Sequence, residues 1–126
     1  MLRTPLACML LLVPFALSAQ QARMPVDGGS ELFMKPLLTK AAIEGEAHGV
    51  FAGQAAELMR QHFRTDAPVL IDVRTIRALP QAGCKRLEVT TLQDRVYEPN
   101  KKAEDQKLVY EISYCAHGDF PMRSGK

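Results

Sequence analysis

The segment 44–54, "EGEAHGVFAGQ", has a glycine at every fourth position, at Gly45, Gly49 and Gly53. Glycine at this spacing lets two helices approach closely in a membrane. A membrane-spanning helix, however, needs about 20 predominantly apolar residues, and polar or charged side chains interrupt this segment. The interrupting residues are Glu44, Glu46, His48, Gln54 and Glu57. The sequence therefore predicts a helix that packs closely on another surface, outside a membrane.

The helical periodicity extends from residue 37 to about residue 63. When this segment is projected at about 3.6 residues per turn, one stripe collects small and apolar side chains. They are Leu38, Ala42, Gly45, Gly49, Ala52, Ala56, Met59 and Phe63. The middle of the stripe contains only glycine and alanine. Since each glycine costs up to about 1 kcal/mol relative to alanine in a helix, a close contact should offset that cost.

Three interpretations of the small residues remain open. The helix packs closely on the protein's own sheet, which we favour, or it offers a groove to a helix or ridge of a partner protein. In the third interpretation, Gly45 or Gly49 breaks the helix in two. The candidate partner-binding residues are Gly45, Gly49, Ala52, Gly53 and Ala56.

The N-terminal segment 1–19 has the three-part layout of a secretory signal peptide. Arg3 supplies the positive charge, residues 6–17 are almost entirely apolar, and Ala19 is a small residue at the expected cleavage position. The apolar core is shorter than the roughly 20 residues that span a bilayer. We therefore expect cleavage after Ala19 and a periplasmic or secreted protein. Cys8 precedes most of the apolar stretch, so it is removed with the signal and is not a lipid attachment site.

The mature chain fits one domain. Residues 20–30 are polar, with proline and paired glycine, and predict a flexible leader before a single domain at 31–126. The full chain has a formal net charge of +2, and loss of Arg3 lowers it to +1. The chain has no tryptophan and no basic run with interleaved aromatic residues, so nothing in it indicates nucleic-acid binding.

Three segments show the alternation of apolar and polar residues that is typical of strands. They are residues 69–79, 84–93 and 107–115. Residues 94–106 form a long, charged and exposed loop, and the tail after residue 115 is irregular. The predicted fold is therefore α+β: one long N-terminal helix packed on a three-stranded antiparallel meander and stapled by one disulfide.

The predicted disulfide joins Cys84 to Cys115, the two cysteines that remain after signal removal. An even pair in an exported chain is typical of a disulfide, and the strand alternation places both sulfurs on one sheet face. Direct pairing of the two cysteines would also place Glu88 opposite Glu111, which is unfavourable. We therefore expect a bulge or a diagonal register at this point.

A metal site is the alternative role of the cysteines. Cys115, His117 and Asp119 lie at alternate positions, and Cys84 could add a fourth ligand of the kind that zinc or copper prefers. Strong zinc patterns contain two paired clusters at set spacing, and cysteines bonded to each other cannot ligate. The prediction is therefore no metal and no cofactor.

The sequence contains no recognisable catalytic motif. His48 and His62 lie fourteen residues apart, about four helical turns, so they cannot share a metal ion on the predicted helix. Four carboxylates are better explained as solvated strand faces than as a hydrolytic pair. These are Asp66, Asp72, Glu88 and Glu111. No nucleophile motif or glycine-rich phosphate loop accompanies them, so we predict that the protein is not an enzyme.

The C-terminal part of the chain, "GCKRLEVTTLQ" at 83–93 and "KLVYEISYCAHGDFP" at 107–121, resembles a group of small exported accessory proteins. These proteins are encoded among conjugation and type IV secretion genes in Gram-negative bacteria. The matching residues are Gly83, Cys84, Arg86, Leu87, Val89, Cys115, Gly118 and Pro121. The resemblance implies a periplasmic accessory role and no catalytic residues.

Three functions follow from the sequence as hypotheses. The first is a non-enzymatic protein that binds another protein through the helix stripe and a free sheet edge that accepts a strand. The second is a small secreted inhibitor or ligand-binding module that uses the loop 94–106 and the tail. The third is a metal-binding protein that uses Cys84, Cys115 and His117.

Overall fold

A five-stranded mixed sheet with two short helices makes up the part of the chain that the structure, a computed structural model, describes: residues 22–28 and 33–122. The strands are β1 (Met24–Asp27), β2 (Glu46–Ala52), β3 (Leu70–Ala78), β4 (Cys84–Val96) and β5 (Glu104–Cys115). The helices are α1 (Lys35–Glu44) and α2 (Gly53–His62). The predicted signal peptide at 1–19 lies outside the described residues, and part of the predicted leader forms β1.

The strands follow one another across the sheet in chain order. β1 pairs with β2 in parallel, and every later pair is antiparallel. Within the described residues, β1 and β5 are therefore the two edge strands. Neither helix in this part of the chain is long and apolar enough to cross a membrane.

The prediction of one long helix on a three-stranded sheet is wrong. Gly45 adopts a φ of +97° and ends α1, with its N–H donating to the carbonyl of Ala41 at 2.9 Å. A left-handed backbone cannot continue a right-handed helix, so the chain leaves α1 here. Gly53, with a φ of +83°, marks the next change of direction, where α2 begins. The glycine spacing thus belongs to two turns that enclose a seven-residue strand.

The middle glycine allows α1 to lie close to the sheet. A Cβ atom on Gly49 would lie 3.0 Å from Cδ2 of Leu37 and 3.3 Å from the carbonyl oxygen of Met24. Leu37 is fully buried at this contact. The close packing that the glycines indicated is therefore internal, but Gly49 supplies it from a strand instead of from a helix.

The hydrophobic core lies between α1 and one face of the sheet. Leu37, Leu38 and Ala41 of the helix pack against apolar side chains of all five strands, including Val26 of β1. The sheet contributes Ala47, Ile71, Val73, Leu87, Val89 and Tyr114. α2 packs mainly on β1 and β2, so the two helices leave part of the same sheet face near β5 without cover.

The three predicted strands are present as β3, β4 and β5 within this larger sheet. β4 and β5 are longer than predicted, because Val96 pairs with Glu104 beyond a register shift. The predicted loop at 94–106 therefore shortens to residues 97–103.

The predicted disulfide between Cys84 and Cys115 is confirmed. The two cysteines lie directly opposite each other in the β4–β5 ladder, and Glu88 lies directly opposite Glu111. The expected bulge or diagonal register between these positions is therefore wrong. Instead, two arginines compensate the like charges. Arg74 Nε donates to Glu88 at 2.8 Å, and Arg86 Nε donates to Glu111 at 3.4 Å.

Candidate functional site

The five small residues predicted to bind a partner lie in three different parts of the fold. Gly45 is exposed between α1 and β2, and Gly49 is buried in β2. Ala52 ends β2, exposed Gly53 opens α2, and Ala56 is buried in α2. These residues would form one continuous stripe only on a single helix. Because the segment is divided among α1, β2 and α2, the structure does not bring them into one groove. Their role in binding stays a prediction.

The most exposed apolar segment of the sheet lies on β5. Residues 104–111 are all exposed, including Leu108 at 60%, Val109 at 47% and Tyr110 at 41% of their surfaces. The other end of the strand differs, because Tyr114 is buried in the core and Ile112 packs against it. α1 covers only that end of the strand, so the first two thirds of β5 form an uncovered edge.

The hydrogen bonds around the disulfide show which backbone groups of β5 face outward. Cys84 donates its N–H to Gln81 and accepts from Leu79, both away from β5. Cys115 donates its N–H to Asp119 at 2.8 Å, away from β4. The two cysteines are therefore a non-hydrogen-bonded pair of the antiparallel ladder.

The alternation of the ladder extends this assignment along β5. The register between β4 and β5 is continuous from Cys84 and Cys115 to Gln93 and Gln106. Hydrogen-bonded and non-hydrogen-bonded pairs alternate in an antiparallel ladder. The residues of β5 that direct their N–H and C=O groups outward are therefore Lys107, Val109, Glu111 and Ser113. We call this set the open edge.

The C-terminal tail closes the far end of the open edge. Asp119 forms an antiparallel bridge with Cys115, so the chain folds back beside the last residue of β5. The ring of Phe120 contacts Tyr114 edge to face, with 5.3 Å between ring centroids. Exposed His117 lies in the turn between these segments. Beyond Ser113, a further strand would therefore meet the tail.

A groove of about 330 Å³ lies beside the open edge, between the end of α2 and the β4–β5 ladder. Half of its lining residues are apolar, and they come from both sides of the groove. They include Met59, Phe63, Val69, Val96 and Leu108. The groove is continuous with the exposed side chain of Leu108, so the apolar surface extends from the strand edge onto the sheet face.

A polar cluster lies on the face of the sheet opposite to the groove. His48 and Asp72 are cross-strand neighbours, and His48 Nδ1 lies 2.7 Å from Asp72 Oδ1. Arg23 donates from Nη1 to the same carboxylate oxygen at 2.9 Å and to the carbonyl of Gly49 at 3.0 Å. Partial burial acts to raise the pKa of Asp72, but the hydrogen bonds from His48 and Arg23 outweigh it and lower the pKa.

The two ring nitrogens of His48 have different surroundings, because only Nδ1 contacts Asp72. Its Nε2 atom is buried without a hydrogen-bond partner, and the nearest carboxylate oxygen, on Glu46, is 3.8 Å away. The contacts of Arg23, His48 and Asp72 tie the residue before β1 to β2 and β3.

The four carboxylates considered in the sequence each contact an arginine. The pairs are Asp66 with Arg95, Asp72 with Arg23, Glu88 with Arg74 and Glu111 with Arg86. Hydrogen bonding from Arg95 lowers the pKa of Asp66, and hydrogen bonding from Arg74 lowers the pKa of Glu88. The lowered pKa values of Asp66, Asp72 and Glu88 make these three carboxyl groups poor proton donors at neutral pH.

The cysteines and His117 do not form a metal site in this structure, because Cys84 and Cys115 are bonded to each other. Among residues 22–28 and 33–122, no three histidine, cysteine or acidic side chains are placed to hold a metal ion. Comparison of the chain with models of protein families, with the sequences of curated proteins and with solved structures found no match.

The sequence predicted a free sheet edge but missed the exposure of Leu108 and Tyr110. It placed both on the buried face with Ile112 and Tyr114, which is the correct face of the strand. The error arose because the predicted helix was long enough to cover the whole strand, whereas α1 ends at Glu44. The charged run at 104–107, directly before Leu108, was the one local signal that this end of β5 is uncovered.

Proposed function

We propose that this protein is an exported, non-enzymatic protein that binds a protein chain by adding a strand to the open edge of β5. The observation that carries the proposal is the exposed run at 104–111, where three successive apolar side chains accompany outward-directed backbone groups. Natural proteins usually protect such an edge, since it is a template for another strand. A long uncovered edge with apolar side chains therefore supports strand addition.

Strand addition would use two features of β5. Backbone groups of the open edge would provide hydrogen bonds to the incoming strand, and alternate side chains would select it. Val109 lies on one face of the sheet, while Leu108 and Tyr110 lie on the other face, where Leu108 lines the groove. An incoming strand with apolar residues at matching positions would cover both faces at once.

Export and an accessory role form part of the same proposal. The signal-peptide pattern in the sequence and the disulfide between Cys84 and Cys115 both fit an oxidising compartment. The resemblance of the C-terminal part to conjugation and type IV secretion accessory proteins supports a role beside such an apparatus. Intact mass of the purified protein tests export. We expect a chain beginning near Gln20 that is two hydrogens lighter than its reduced form.

Site-specific photo-crosslinking in the cell of origin tests the binding edge. A photoreactive phenylalanine analogue replaces Val109 in the full chain, and the same analogue at exposed Ile43 on α1 is the control. We expect an adduct with a protein chain at residue 109 that is absent at residue 43. Equal or no adducts at the two positions would contradict the proposal, and the adduct mass identifies the partner.

Ligand binding is the second candidate, because the groove beside β5 has a volume in the range of small-molecule sites. Titration with the apolar dye 1-anilinonaphthalene-8-sulfonate tests it. We expect saturable binding of one dye molecule per chain and its loss in Thr91→Trp, which fills the groove from β4. Non-saturable fluorescence, unchanged by Thr91→Trp, would contradict this function.

A further inference from the structure

We propose that the strand that adds to β5 is β5 of a second copy of this chain, paired antiparallel about Val109. The two sheets would then join into one continuous sheet with the helices of both copies on the same face. This inference rests on the proposed function, because it names the partner of the same edge.

The backbone limits the registers that such a pairing can use. Between residues 107 and 113, the residues that direct their N–H and C=O groups outward are Lys107, Val109, Glu111 and Ser113, as the ladder around Cys84 and Cys115 requires. Two antiparallel strands exchange hydrogen bonds only where outward-facing residues lie opposite each other. The two-fold axis must therefore pass through a residue of β5 and cannot pass between two residues.

Charge selects one of these registers. With the axis at Val109, Lys107 of each copy lies opposite Glu111 of the other, which creates two ion pairs. With the axis at Leu108, Asp105 would lie opposite Glu111, and the like charges would repel. With the axis at Tyr110, Glu111 would lie opposite Val109 and the ion pairs would be lost.

The side chains between the charged residues of one copy also complement the same side chains of the second copy. In the Val109 register, Leu108 of one copy lies opposite Tyr110 of the other, and the two Val109 side chains face each other. All three side chains are exposed in the single chain. Pairs of aromatic and aliphatic side chains across strands stabilise a sheet. The pairing would therefore cover the apolar part of the edge.

The segment "KLVYE", residues 107–111, explains why a second copy fits better than an unrelated strand. It has opposite charges at its two ends and apolar residues between them, so a reversed copy is its own complement. A two-fold interface requires this self-complementarity. The bridge between Cys115 and Asp119 closes the edge after Ser113. In the Val109 register, residue 105 of the second copy lies opposite Ser113, so the paired segment stops before the tail.

Charge reversal tests both the dimer and its register. In Lys107→Glu and in Glu111→Lys, like charges would face each other at both ion-pair positions. By sedimentation analysis of the purified, oxidised chain, we expect a concentration-dependent dimer that each variant weakens about tenfold or more. An equimolar mixture of the two variants should dimerise again, because every pair then has opposite charges. The double variant Lys107→Glu, Glu111→Lys should also dimerise.

The outcomes separate this inference from the proposed function. Thermal unfolding of each variant controls for folding, since Glu111 also contacts Arg86. A monomeric wild-type chain at all concentrations, or a dimer that both single variants leave unchanged, would overturn the inference. If residue 109 then still forms a photo-adduct with a different protein, the proposed function stands without the dimer. If residue 109 forms no adduct at all, both fail.

Discussion

Cys84 and Cys115 lie directly opposite each other in a non-hydrogen-bonded pair of the β4–β5 ladder. Their position therefore determines which residues of β5 direct their N–H and C=O groups outward. Every second residue from Cys115 directs these groups to the open edge. The same alternation places Val109 among the outward-facing residues and Leu108 among those that bond to β4.

Proline substitutions in β5 should show which N–H groups of the strand bond to β4 and which face outward. Val109→Pro removes an N–H group that has no partner in the β4–β5 ladder, whereas Leu108→Pro removes one that bonds to β4. Proline is tolerated in edge strands where the N–H faces outward. We expect Leu108→Pro to lower the free energy of unfolding by about 1 kcal/mol more than Val109→Pro does, because it removes one ladder hydrogen bond, measured by urea denaturation. Equal destabilisation by the two variants would contradict the assignment of Val109 as outward-facing and of Leu108 as bonded to β4.

Loss of the disulfide should destabilise the fold. The bond closes a loop with a sequence separation of 31, and a loop of this size restricts the unfolded chain by about 3 kcal/mol. We expect the double variant Cys84→Ala, Cys115→Ala to lose about that much unfolding free energy in urea. Addition of reductant should shift the wild-type midpoint similarly and leave the double variant unaffected. A reductant-sensitive double variant would contradict this account.

Substitution of the buried glycine should displace α1. Gly49→Leu places a side chain against Leu37 and the backbone of Met24, and overpacking of this kind costs about 1–3 kcal/mol. Gly45→Leu is the matched control, because no atom lies within 4 Å of its Cβ position. Its left-handed backbone alone should cost about 1–2 kcal/mol. Since a main-chain atom as well as Leu37 obstructs a side chain at Gly49, its cost should lie near the upper end of the range for overpacking. The melting temperature of Gly49→Leu should therefore be lower than that of Gly45→Leu, and the reverse order would argue against close packing at Gly49.

Asp72 should make stability depend on pH in the acid range. Its pKa is lowered in the folded protein, so the folded state favours the ionised carboxylate. This stabilisation is complete above the ordinary pKa of about 3.9 and is lost as the pH falls through the lowered folded value. We expect Asp72→Asn to cost about 1 kcal/mol at neutral pH, since solvent screens this partly exposed ion pair.

The matching measurement is urea unfolding of wild type and Asp72→Asn between neutral pH and about pH 2. The difference between the two proteins should disappear at the acid end. Asp94→Asn is a control variant, because Asp94 is an exposed carboxylate away from the cluster of Arg23 and His48. A constant difference at all pH values would show that ionisation of Asp72 does not stabilise the fold.

Local alternation was enough to predict β3, β4 and β5, since neighbouring residues of a strand direct their side chains to opposite faces of the sheet. The register shift at Val96 was not predictable in the same way. It depends on the pairing of Val96 with Glu104, and this pairing lies in a charged segment with no apolar alternation. The predicted loop was therefore longer than the observed one.

The three C-terminal strands and the Cys84–Cys115 pairing could be read from the sequence, because alternation is local and only two cysteines lie outside the predicted signal peptide. The conformation of the segment 44–54, in contrast, depends on tertiary contacts. Its glycine spacing fits one helical face as well as it fits two turns around a strand, and pairing with β1 and β3 selects the strand. The exposed edge at Leu108 and Tyr110 was likewise decided by the length of α1, because burial depends on what another element covers.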